Sequence, residues 1–107
     1  MATFEDRLRI VPEFRPDEYD RIRGIVFGKL ARRLARWEPH QVELELSVKG
    51  RDTADQRTVL ECWLPKAPRF VATSTEQSLD RAVGEVRDDL WRQIDRYLTK
   101  KESARRR

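Results

Sequence analysis

The 107-residue sequence predicts an α+β fold, a two-layer β-α-β-β-β-α sandwich in which a four-stranded sheet carries two helices on one face. Three observations predict it. Two segments place apolar residues at steps of three and four, the spacing of a half-buried helix. Four short segments alternate polar and apolar residues, the spacing of a strand. The length suits one compact core without a second domain.

The elements follow in chain order. Residues 7–11 alternate, with Leu8 and Ile10 on one face, and Pro12 ends that strand. Glu13 to Pro16 connects to a helix that begins near Asp17, with Glu18 and Asp20 in an acidic first turn. Tyr19, Ile22, Val26, Leu30, Leu34 and Trp37 form its apolar stripe, and Pro39 closes it. In residues 42–48, Val42, Leu44, Leu46 and Val48 alternate with Glu43, Glu45 and Ser47. A polar turn with Gly50 leads to a strand over 57–64, whose inward face is Leu60, Cys62 and Leu64. Pro65 and Pro68 bracket the next turn, and 70–75 forms the last strand with Phe70 and Ala72 inward. Ser74 to Ser78 offers N-cap residues for a long helix whose stripe is Leu79, Val83, Val86, Leu90, Ile94 and Tyr97. The strands are expected to form an antiparallel meander. Residues 1–101 make the domain, and 102–107 a basic flexible tail.

The composition sets the function classes. Charged residues are 39% of the chain, yet three Trp and 38% hydrophobic residues mark a folded domain with a crowded charged surface. No apolar run approaches the roughly 18 residues of a membrane span. The charged start, Met1 to Ile10, does not read as a signal peptide. The single Cys62 excludes an internal disulfide and fits a reducing, cytoplasmic setting.

Catalytic patterns are missing. The one His, His40, stands in a helix-to-strand turn, and Cys62 lies on an apolar strand face, so neither a metal cluster nor a nucleophile–base pair is expected. The four Gly are scattered and form no phosphate loop. Glu43 and Glu45 read as the solvated face of a strand rather than an acid–base pair. The expectation is a non-enzymatic protein without cofactor.

The net charge of +4 conceals an asymmetry. Residues 1–28 carry −1, residues 29–36 carry +4, residues 37–95 carry −4, and residues 96–107 carry +5. Clustered cations on a small domain are the footprint of a polyanion binder. In the first helix, Lys29, Arg32, Arg33 and Arg36 follow helical spacing. In the last, Arg81, Arg92, Arg96 and Lys100 fall within roughly a third of the circumference, opposite the apolar stripe. The sheet face away from the core carries Glu43, Glu45 and Glu61 beside Trp63, which argues against base stacking there. Val59, Trp63 and Val71 on that face form an alternative, protein-binding patch.

Several of these residues resemble the ribosome hibernation-promoting factors, also called ribosome-associated inhibitor or sigma-54 modulation proteins. The first helix of that family typically ends in V-x-x-K-(L/F)-x-K-L, and this chain has Val26-Phe27-Gly28-Lys29-Leu30-Ala31-Arg32-Arg33. The last helix typically carries D-K-L-x-R-Q-L-x-K after an aliphatic residue. Here Val86 is followed by Asp88-Asp89-Leu90-Trp91-Arg92-Gln93-Ile94-Asp95-Arg96. The Phe70–Val83 junction is also similar, and the likeness covers residues 7 to 101. Asp89 stands where the family usually has Lys, Leu98 replaces a later basic residue, and the segment with Pro12 and Pro16 departs from a glycine-containing one. The likeness is to a short or divergent form, without the dimerisation domain of the long form.

The resemblance implies docking on the small ribosomal subunit near the decoding centre, and inhibition of translation under stress. Lys29, Arg32, Arg92, Arg96 and Lys100 match the family's RNA-contacting positions, and the charge pattern adds Arg33 and Arg36. The alternative is a divergent paralogue that forms a protein contact, such as a homodimer, through Val59, Trp63 and Val71. Generic double-stranded RNA binding ranks third, because the last helix begins Glu76-Gln77-Ser78-Leu79-Asp80 instead of with a Lys cluster.

Overall fold

The computed structural model describes residues 4–11 and 13–105. Pro12 and the last two arginines, Arg106 and Arg107, lie outside them. The order is β1 (Leu8–Ile10), α1 (Tyr19–Leu34), β2 (Glu43–Lys49), β3 (Arg57–Trp63), β4 (Phe70–Ser74) and α2 (Leu79–Arg105). Single turns of 3-10 helix at Phe4–Arg7, Pro16–Glu18 and Pro39–Gln41 fill the connections. The α+β layout predicted from the sequence is present.

The sheet order is β1-β2-β3-β4. β2, β3 and β4 form the expected antiparallel meander, in the register Leu46↔Leu60 and Leu60↔Ala72. One expectation is corrected. β1 pairs with β2 in parallel, Leu8↔Leu44 and Ile10↔Leu46. An intervening helix returns the chain to the end where β1 began, so β2 enters in the same direction.

Strand alternation decides the two faces. Leu44, Leu46, Val48, Leu60, Cys62 and Ala72 point inward and are buried. Against them pack Ile22, Val26, Leu30 and Leu34 of α1 and Val83, Val86, Leu90 and Ile94 of α2. Four ion pairs give the helix register: Arg21–Asp80, Lys29–Asp88, Arg33–Asp95 and Arg36–Glu102. The partners advance together along both chains, so α1 and α2 run parallel, side by side. α2 continues past residue 101 to Arg105, so helix extends into the segment assigned to the tail.

The start of α1 departs from the sequence reading. Glu18, read as one of the acidic residues of the helix's first turn, precedes α1 and is buried. It lies on the Pro16–Glu18 turn and accepts the Arg15 backbone N–H at 2.9 Å. Arg51, from the β2–β3 turn, reaches it with both terminal nitrogens, donates to the Glu13 carbonyl at 3.0 Å, and lies 5.9 Å over the Phe14 ring. That turn bends at Gly50, φ +62°, where a Cβ would come within 3.1 Å of the Asp55 carbonyl. Gln56 in the same turn is buried, and its amide donates to the Gln77 carbonyl at 3.0 Å, which ties the turn to the start of α2.

Candidate nucleic-acid interface

The structure divides the basic block of α1. Lys29 Nζ lies 3.1 Å from Asp88 Oδ1, Arg33 Nη2 2.7 Å from Asp95 Oδ1, and Arg36 Nη2 2.7 Å from Glu102 Oε1. These three cations are engaged in the helix–helix seam. Arg32 is exposed, makes no ion pair among the described residues, and lines the opening between the helices beside Trp91. The acids of α2 stand seven residues apart, at 88, 95 and 102, a spacing that keeps them on the flank facing α1.

Trp91 sits in the middle of this seam. Arg33 lies 4.6 Å and Lys29 5.4 Å from the centroid of its ring, both within cation–π range. The Arg33 Nε is buried without a hydrogen-bond acceptor, on a guanidinium that lies over the Trp91 ring. Burial opposes ionisation of Asp88, but hydrogen bonds from Arg87 and Lys29 outweigh it and hold the carboxyl below its ordinary value. Asp88 is therefore ionised at neutral pH, and together the three ion pairs engage Lys29, Arg33 and Arg36 of the α1 block.

The α2 cations are placed differently. Arg92, Arg96 and Lys100, at steps of four, are exposed on the outward side of the helix. None makes an ion pair among the described residues. With Arg32 they are four exposed cations of the helix layer without an ion pair among the described residues, and Arg81, near the start of α2, is exposed and without an ion pair as well. Asp89 is half-buried and accepts a long hydrogen bond from Gln93, 3.4 Å. Leu98 is a core residue, 5% exposed, so the apolar side chain at this position serves packing.

The opposite face of the sheet is less acidic than its sequence. Glu43, Glu45 and Glu61 pair with Arg7, Arg9 and Arg69, at 3.6, 2.7 and 3.4 Å. Arg9, Glu45 and Glu61 are cross-strand neighbours in one row, which Val71 of β4 completes. This row cuts the Val59, Trp63 and Val71 patch. Val59 and Trp63 share β3 with Glu61 between them, about 13 Å apart at strand rise. Only Val71 is well exposed, and Val59 and Trp63 are half-buried.

Cys62 is fully buried, and burial pushes its thiol up to about 12, so it is un-ionised at neutral pH. His40 is exposed on the turn before β2. Among the described residues, no three His, Cys, Asp or Glu side chains cluster as metal ligands. No helix among them is long and apolar enough to cross a membrane.

Sequence reasoning missed the acids that govern the site. Their seven-residue repeat opposite a basic helix was the available signal. No protein-family model matches this chain, and none of the curated proteins compared with it matches either.

Proposed function

We propose that this domain is a non-enzymatic RNA-binding module that docks on the small ribosomal subunit and inhibits translation. The observation that carries the reading is the group of exposed cations Arg32, Arg92, Arg96 and Lys100 on the α1–α2 layer, none with an ion pair among the described residues. The seam acids engage Lys29, Arg33 and Arg36 instead of these four. Phosphate oxygens are the natural partners of such a surface, since Arg and Lys contact them without reading sequence. The cations support a polyanion partner; the small subunit as that partner, the inhibition of translation, a position near the decoding centre and action under stress rest on the resemblance to hibernation factors, and a cytoplasmic setting rests on the single Cys62.

Sedimentation with isolated small ribosomal subunits tests it. Four phosphate contacts predict a salt exponent of about −3, so binding should weaken about a hundredfold between about 50 and 200 mM salt. Absence of co-sedimentation at the lower salt overturns the reading.

A further inference from the structure

A cleft opens between the helices over Trp91, lined by Gly28, Lys29, Arg32, Arg33 and Trp91, with a volume of about 370 Å³. Its charge is not balanced. Lys29, Arg32 and Arg33 line it, three cations against the carboxylates of Asp88 and Asp95 that Lys29 and Arg33 meet. One positive charge, that of Arg32, remains over.

The donors left at the mouth are specific. Arg33 binds Asp95 through one terminal nitrogen, and its Nε is buried. Lys29 gives one N–H to Asp88 and has two more. Arg32 presents its whole planar fork, the geometry that grips phosphate oxygens in pairs. Gly28 adds no side chain, and a Cβ there would meet nothing within 4 Å, so the mouth stays open beside the helix backbone. An apolar guest would find only one indole, already flanked by two cations.

We propose that this cleft binds a small polyphosphate anion, with its phosphates held by Arg32, Arg33 and Lys29. A cleft of this size exceeds one phosphate group and leaves room for what the phosphates are attached to. Such a ligand would occupy Arg32 and compete with RNA at this end of the helix layer.

Amide and indole NMR of the intact protein tests the site without relying on ribosome binding. Inorganic pyrophosphate, adenosine triphosphate, adenosine and a short single-stranded RNA are the probes. The expected result is saturable shifts at Gly28, Arg32 and the Trp91 indole with both phosphate compounds, at a Kd of about 1 mM or tighter. Adenosine alone should produce none. Arg32→Ala, a change at an exposed residue outside the core, should weaken pyrophosphate about tenfold, the loss of one charge-assisted contact. Unsaturable shifts, shifts scattered over surface cations, equal binding by Arg32→Ala, or a response to the RNA alone would each overturn the proposal. The RNA-binding reading is judged separately, by co-sedimentation.

Discussion

Arg33 and Asp95 close the seam between the two helices, with 2.7 Å between Nη2 and Oδ1, while the same guanidinium covers the Trp91 ring at 4.6 Å. An arginine held by a carboxylate and an indole is already engaged by an anion. The α2 acids therefore occupy the cations of α1 much as RNA phosphates would. Asp95→Asn is expected to strengthen RNA binding about three- to tenfold by removing a competing charge. Its effect on folding stability should stay within about 1 kcal/mol, because both partners are partly exposed. Filter binding of a ribosomal RNA fragment, beside urea denaturation, checks both. Weaker binding by the variant would show that Asp95 orders Arg33 for RNA instead of competing for it.

On α2 the corresponding test is charge reversal. Arg92→Glu with Arg96→Glu should abolish co-sedimentation with small subunits at low salt and leave the melting temperature within a few degrees. Both side chains are exposed and carry no ion pair among the described residues, so the fold loses little. Retained binding in the double variant would exclude this face as the docking surface.

These two tests separate what was legible in the sequence from what was not. Leu44, Leu46 and Val48 alternate with Glu45 and Ser47, and that period of two settles which side of β2 is buried. Ile22, Val26, Leu30 and Leu34 do the same for α1 with helical spacing. Local spacing also showed that Arg92 and Arg96 stand opposite the stripe of their own helix. It could not show that Lys29 meets Asp88, a partner 59 residues away, because the match depends on how two helices pack. The parallel pairing of β1 was hidden for the same reason, and Glu18 passed for an ordinary acidic first-turn residue until Arg51 was placed beside it.

That Glu18–Arg51 contact fixes the β2–β3 turn to the entry of α1, and both side chains are largely buried. Arg51→Ala leaves the carboxylate enclosed without its main partner, and should cost about 3 kcal/mol in urea denaturation. Replacing both residues with leucine should recover most of the loss, because the uncompensated charge disappears with its partner. A loss below about 1 kcal/mol in Arg51→Ala would mean that water reaches Glu18 and solvates it.

The same contact predicts an acid limit. Hydrogen bonds from Arg51 dominate at Glu18; burial opposes them, the Arg15 backbone N–H adds to them, and the carboxyl is held at about 2 instead of 4.5. A carboxyl with a depressed folded-state value stabilises the fold above its unfolded value, and that contribution is lost as pH falls from 4.5 toward 2. The share due to Glu18 at pH 3 should be about 2 kcal/mol smaller than at pH 6. The measurement is the difference between wild type and Glu18→Gln across the pH series. A constant difference would contradict the assignment.

Asp89 provides the remaining test, because it places a negative charge beside the basic surface and its single hydrogen bond, from Gln93 on the same helix, is 3.4 Å long. Little structure depends on that contact, so Asp89→Lys should fold normally and lose less than about 1 kcal/mol. On the RNA side the change amounts to two charges next to Arg92 and Arg96. One added phosphate contact raises the salt exponent by about one, and removal of the repulsion adds to the gain. Affinity for small subunits should rise about tenfold or more at low salt, with a steeper salt dependence than wild type. Unchanged affinity and slope would place residue 89 away from the RNA, and would turn the docking surface toward the Arg32 side of the helix pair.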